Sequence, residues 1–158
     1  MSFNFKARLE TGKEASAHVE ASRKEISQVL NQLKLDLSEF LEIELKLLIR
    51  DEIELKQDNI EMNANLLNHL NTFNPLAPRT RIKTGYKTVL FKGEYDNSIE
   101  LFHLKEGQKV YPLNIKNGTN KFIAANREEL VEIIGTILED PKTHAKLKVF
   151  ASKENEGF

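Results

Sequence analysis

The chain contains no cysteine. Disulfides, thiolate metal sites and thiol nucleophiles are excluded, so the fold must be held by its core alone. No apolar run approaches the length of a membrane span. The first twenty residues lack the apolar centre of a signal peptide. A cytoplasmic chain without a membrane partner is the expectation. The four histidines, His18, His69, His103 and His144, stand far apart, and none has a second histidine or a carboxylate at metal-ligand spacing. There is no glycine-rich phosphate loop and no nucleophile elbow. Glycines fall singly at turns or ends, apart from Gly135 inside an apolar helical stripe. No catalytic residue, metal site or cofactor is therefore expected. No repeat or low-complexity segment is present.

Glycine and proline are also missing from Lys13 to Asn74, where Leu, Glu, Lys, Ala and Asn dominate. That composition favours helix. Val19, Ser22, Ile26, Val29, Leu30, Leu33 and Leu37 recur at helical spacing and predict a helix over Lys13–Leu37. Before it, Phe3, Phe5, Ala7 and Leu9 alternate with polar residues, which predicts a half-buried strand ended by Thr11-Gly12. After it, Leu41, Ile43, Leu45, Leu47 and Ile49 alternate with Glu42, Glu44, Lys46 and Leu48. Strict alternation over nine positions favours a strand, and a turn at Arg50-Asp51-Glu52 would pair it with Ile53 and Leu55 in a hairpin. The rival is a helical arm or coiled coil through residues 13–73, since Leu33, Phe40 and Leu47 keep heptad spacing. A short helix is predicted from Ile60 to Phe73, with Asp58 or Asn59 as its cap.

Two prolines, Pro75 and Pro78, stop that helix and mark a connector at residues 75–79. The following stretch from Ile82 to Ala124 reads as an antiparallel meander. Its strands are Thr88–Tyr95, Ile99–Leu104, Val110–Lys116 and one around Phe122-Ile123. Asp96-Asn97, Lys105–Gln108 and Asn117-Gly118 are the turns between them, the last predicted as a type I′ hairpin turn. Pro112 places its strand at an edge or at a bulge. Asn126 and Glu129 form a capping box for a helix carrying Leu130, Ile133, Ile134, Ile137 and Leu138. Asp140-Pro141 stops it and suits the start of another helix, from which Leu147, Val149 and Phe150 should reach the core. Ser152–Phe158 reads as a frayed tail.

The chain of 158 residues is thus expected to be one domain. Residues 1–74 hold a strand and a helix-rich part. Residues 80–150 hold the meander and C-terminal helix, and 151–158 the tail. The fold class is α+β: an antiparallel meander at about residues 82–124 with helices packed mainly on one face.

Charge is unevenly spread. Residues 13–74 carry seven basic and twelve acidic side chains, whereas residues 75–125 carry nine basic and four acidic. Two surfaces follow as candidates. Arg79, Arg81, Lys83, Tyr86, Lys87 and Lys92 form a basic segment that could track phosphates, with Tyr86 to stack on a base; protection of a sheet edge is the simpler reading. Glu42, Glu44, Glu52 and Glu54 form an acidic ridge that could meet a basic partner; the solvated face of a strand is the simpler reading. The functional expectation is a non-enzymatic binding protein. A protein–protein, inhibitor, immunity or accessory module of a bacterial or phage system fits, with self-association or a protein partner. Nucleic-acid or nucleotide binding through residues 79–92 is the alternative. A cleft enzyme built near His103 is a third possibility.

Overall fold

The computed structural model describes residues 3–57 and 79–156, with side chains throughout except at residues 56–57 and 79–80. The helix expected at 60–73, the connector up to Pro78 and His69 lie outside the described residues. Along the chain run α1 (Phe5–Leu41), β1 (Lys46–Gln57), β2 (Arg79–Lys92), β3 (Ser98–Gly107), β4 (Val110–Asn117), β5 (Asn120–Ala124), α2 (Arg127–Glu139) and α3 (Pro141–Glu156). The five strands form one antiparallel sheet in sequence order. The class is α+β, with the described helices packed on one face of a meander that begins at Lys46 rather than Ile82.

Four boundaries depart from the sequence reading. First, Phe3–Leu9 is not a strand. Asn4 caps a helix by accepting from the Ala7 amide at 3.2 Å, and the helix passes through Thr11 and Gly12 to Leu41. The alternation of Phe3, Phe5, Ala7 and Leu9 also contains the helical pair Phe5/Leu9, and with no sheet edge beside it among the described residues the segment takes the locally bonded option. Second, α1 ends where Glu42 turns into the left-handed region at φ 56°. Third, the hairpin at Arg50–Glu52 is absent: one strand, β1, runs straight through and pairs with β2. Asp51 is the one turn former there, with no Gly or Asn beside it to take the second positive φ of a tight hairpin turn, so nothing forces a turn. The alternation survives, with Ile43, Leu45 and Leu47 facing the core and Glu44 and Lys46 exposed. Fourth, β2 stops at Lys92. Tyr95 leaves the predicted strand face for the Gly93–Asn97 turn, where it is exposed.

Smaller corrections follow the same logic. In the β4–β5 hairpin Asn117 pairs with Asn120, so Gly118 and Thr119 are the central residues. Gly118 has φ 60° and Thr119 does not turn positive, the sign pattern of type II′ rather than I′. Pro112 sits in an interior strand, at the register shift between β3 and β4, so the bulge alternative holds. Val149 is exposed because Leu147 and Phe150 define the inward face of α3. Ser152–Glu156 continue α3 instead of fraying, since the Glu154 carboxylate is buried and accepts from the Tyr95 and Asn97 amides at 3.0 and 3.3 Å.

The core lies between sheet and helices. Val89, Phe91, Phe102, Leu113 and Ile115 from the strands meet Ile26, Leu30, Leu33 and Leu37 of α1, Leu130, Ile134 and Ile137 of α2, and Leu147 and Phe150 of α3. The capping box of α2 forms as expected: Asn126 Oδ1 accepts from the Glu129 amide at 2.9 Å, and Glu129 reaches back to the Ala125 amide at 2.6 Å.

Candidate functional site

Two features stand outside this core. One is the face of the sheet turned away from the described helices; the other is the first half of α1.

On the sheet, directly opposed residues share a face. Arg50 opposes Thr88, Thr88 opposes His103, His103 opposes Lys116, and Lys116 opposes Lys121. One polar row therefore crosses all five strands. The residues that flank it in sequence, such as Val89, Phe102 and Ile115, point to the core. A bulge adds to the row. Between Asp51 and Ile53 the strand β1 advances by one residue, Glu52, while β2 inserts Thr84-Gly85-Tyr86. Gly85 takes φ 88°, a conformation open to glycine and costly for side-chain-bearing residues. The kink brings Tyr86 onto the polar face, with the Lys116 ammonium 4.4 Å and the Lys105 ammonium 5.6 Å from its ring centre.

Glu52 is the hub of this face. Its carboxylate accepts from Lys116 Nζ at 2.7 Å and lies 2.9 Å from His103 Nδ1. Thr88 Oγ1 is also 2.9 Å from that nitrogen. The carboxylate beside Nδ1 favours the tautomer that carries its proton there. Partial burial pushes the Glu52 carboxyl up. The Lys116 hydrogen bond, the Lys116 charge and the neighbouring His103 ring outweigh that, with help from Thr84, and hold it below the ordinary carboxylate range. The result is an ionised acceptor already matched to internal donors, rather than a proton donor waiting for a substrate. Around it Arg50, Lys105 and Lys121 remain exposed.

The first half of α1 is different in kind. The helix has 37 residues, a length of about 55 Å. Residues 3–18 are exposed without a break, and the first buried residue is Ile26. Where α1 reaches the sheet, Arg23 forms a two-pronged pair with Glu106 at 3.1 and 3.0 Å. Tyr111 there donates to Glu25 at 3.4 Å. From Phe5 to Glu20 the helix projects by roughly 24 Å. The stripe that seats the second half, Ile26, Leu30, Leu33 and Leu37, continues along the projecting half as Phe5, Leu9, Gly12, Ser16 and Val19. Phe5 and Leu9 stay 65% and 73% exposed, so the outer end of the stripe is without cover, while Val19 at its inner end is partly buried against the core. Phe3 stacks on Phe5 with ring centres 5.8 Å apart.

Beside the seated half lies an apolar groove between α1 and α2, of about 380 Å³. Val29 and Leu33 form one wall, and Val131, Ile134, Gly135 and Leu138 the other. Gly135, which the sequence singles out, has nothing within 4 Å of the position a Cβ would take. Among the described residues no neighbour approaches it, and it leaves the groove open.

The residues singled out by sequence are redistributed. Tyr86 and Lys92 belong to the polar face. Lys87 alternates to the other side, opposite Asp51, and Lys83 pairs with that Asp51 at 3.4 Å. Arg81 is exposed, and Arg79 opens β2 with its side chain outside the described residues. The four glutamates do not share a strand face: Glu42 caps α1, Glu44 lies in the connection, Glu54 is exposed on β1, and Glu52 is tied into the sheet. Sequence reasoning missed the meeting of Glu52, His103 and Lys116, because they come from three strands. It also missed the projecting arm, although the 3–4 spacing from Phe5 to Leu37 was available as a signal. Among the described residues no cluster of three or more His, Asp or Glu has the arrangement of a metal site. No helix among them is long and apolar enough to cross a membrane. No protein-family model, curated protein or solved structure matches this chain.

Proposed function

We propose that this chain is a non-enzymatic, cytoplasmic binding protein that engages a protein partner through the projecting half of α1. One observation carries the reading: about four turns of helix project from Phe5 to Glu20, and the apolar side chains at their outer end, Phe5 and Leu9, stay exposed while only Val19 at the inner end is partly buried against the core. Most helical stability in proteins comes from packing an apolar face, and a solvated helix of this length is marginal. A partner that covers Phe5 and Leu9 would supply the missing packing in the helix-in-groove manner. The internal pairing of Glu52, His103 and Lys116 supports the non-enzymatic part, since those charges already satisfy one another.

The test is affinity capture from the native source with the wild type and with the double variant Phe5→Glu/Leu9→Glu. Both side chains are exposed, so the variant keeps its core. A protein recovered stoichiometrically by the wild type and lost by the variant is the expected outcome. Equal recovery by both would remove the arm from the reading.

A second reading, binding of a nucleic-acid backbone, is favoured by the exposed cations Arg50, Lys105 and Lys121 on the polar face. It draws on Tyr86 and Lys92 from the segment 79–92, but not on Lys83 or Lys87, which turn toward Asp51. Salt-sensitive binding of an oligonucleotide that weakens in Arg50→Glu/Lys121→Glu would support it. No binding by the wild type at low salt would dismiss it.

A further inference from the structure

We infer that the open edge of β3 beside α3 is a second contact site, which takes an extended acidic peptide segment of a partner protein as an added strand. This site is separate from the projecting arm and does not rest on it.

β4 is too short to cover β3. Their ladder reaches toward the start of β3 only as far as His103 opposite Lys116, and the chain then turns back at Gly118-Thr119 into β5. The Asn117 side-chain amide donates to the Leu101 carbonyl at 2.7 Å and closes the paired region. Among the described residues, Ser98–Glu100 therefore pair with β2 alone. The Gly93 amide donates to the Asn97 carbonyl at 2.9 Å, so that carbonyl faces β2. In the same peptide plane the Ser98 amide points the other way. Alternation along the strand turns the backbone groups of Glu100 to that open side as well. A run of unpaired backbone groups is a template for another strand.

α3 makes this edge one wall of a cleft of about 470 Å³. Ile99 and Phe150 line it with Val149, which is 56% exposed. Lys146 and Lys153 flank Val149 on the helix, about 10 Å apart. Neither has an acidic partner among the described residues. Glu100 is the one acid in the lining, and its side chain belongs to the far face of the sheet: it opposes Leu90, whereas Ile99 opposes Phe91 of the core. The charges that meet an incoming strand from the helix side are thus both positive. The open backbone groups select an extended segment. The two ammonium groups select carboxylates on its helix-facing side, with an apolar side chain between them for Val149. Helix-facing side chains recur about every 7 Å along a strand, so acids at the first and fifth positions straddle the two lysines.

The probe is the capped pentapeptide Glu-Thr-Val-Thr-Glu, titrated into the isotope-labelled full chain and followed by two-dimensional NMR. The Ser98 and Glu100 amides should shift saturably. Lys146→Glu/Lys153→Glu, changed at two exposed positions, should weaken binding by about tenfold or more. The peptide Lys-Thr-Val-Thr-Lys should prefer that variant to the wild type. N-methylation of one alternate set of peptide amides should abolish binding and methylation of the other set should not, as strand addition requires. Phe5→Glu/Leu9→Glu should bind the peptide as the wild type does.

Unshifted Ser98 and Glu100 amides at millimolar peptide would overturn the inference. So would equal binding of the acidic and basic peptides, or equal tolerance of both methylated sets. Shifts of the same amides on dilution of the protein alone would give the edge to a second copy instead.

Discussion

The contact between Gly93 and Glu154 gives a sharp energetic test of how α3 is joined to the sheet. Glu154 is 3% exposed, and its two carboxylate oxygens accept from the amides of Tyr95 and Asn97 in the β2–β3 turn. A Cβ on Gly93 would fall within the space of that carboxylate. A hydrogen bond to a charged group is worth about 1.5–3 kcal/mol net. Here Glu94, Tyr95 and Asp96 are exposed, so amides freed from Glu154 would find water. The low end applies, and Glu154→Ala should cost about 2–3 kcal/mol. Gly93→Ala expels the carboxylate, so it should lose the same bonds and add about 1 kcal/mol of overpacking. The double variant should cost no more than Glu154→Ala alone. The alanine methyl then occupies vacated space, and Gly93 is not at positive φ, so its backbone accepts alanine. A double-mutant cycle should therefore show a coupling of about 3–4 kcal/mol. Urea denaturation at neutral pH, read as midpoint shifts at constant slope, measures each corner. Costs that simply add, within about 0.5 kcal/mol, would refute the contact.

Other expectations are more local. The Glu52 carboxyl is held below its ordinary value, so its stabilisation is complete above that value and fades as pH falls through the lowered one. Glu52→Gln should cost about 1–2 kcal/mol at neutral pH, discounted for partial exposure, and converge with the wild type as pH falls through the lowered value. A pH-independent difference in urea midpoint would contradict the ion pairing. Gly85→Ala should destabilise by about 1–2 kcal/mol because φ 88° disfavours a side chain. It should also quench the packing of Tyr86 over Lys116, visible as a changed tyrosine fluorescence; an unchanged midpoint would mean the bulge relaxes freely. Gly135→Ala should stabilise by roughly 0.5–1 kcal/mol, since it adds helix propensity where nothing obstructs a Cβ. A lowered melting temperature would show that some group approaches Gly135 after all.

Period and punctuation in the sequence settled much of the sheet and the C-terminal helices. The hairpin at Gly118, the capping box at Asn126 and Glu129, and the Asp140-Pro141 junction were legible because each depends on a few adjacent residues. The alternation over Ile43–Leu47 likewise gave the right inward face, since burial of a strand is a two-residue repeat. Those local rules failed where two readings of one string were locally equal. Phe3–Leu9 satisfies both a period of two and the helical pair Phe5/Leu9. Arg50–Glu52 offers one weak turn former, Asp51, and no bar to an extended strand. In each case the choice was made by what lay alongside: no strand among the described residues for the first segment, and β2 for the second.

What the sequence determined by itself was the class of the fold, the apolar faces that build its core, and the absence of thiol chemistry. Those follow from composition and periodicity, which belong to the chain at any distance from its neighbours. Only the tertiary structure decided which charges meet and which surfaces are left over. Register across three strands brought Glu52 to His103 and Lys116. The position at which α1 leaves the sheet determined that Leu30 is buried and Leu9 exposed, although both lie on one stripe. Such outcomes depend on the summed packing of distant segments, and no short stretch of sequence contains that sum.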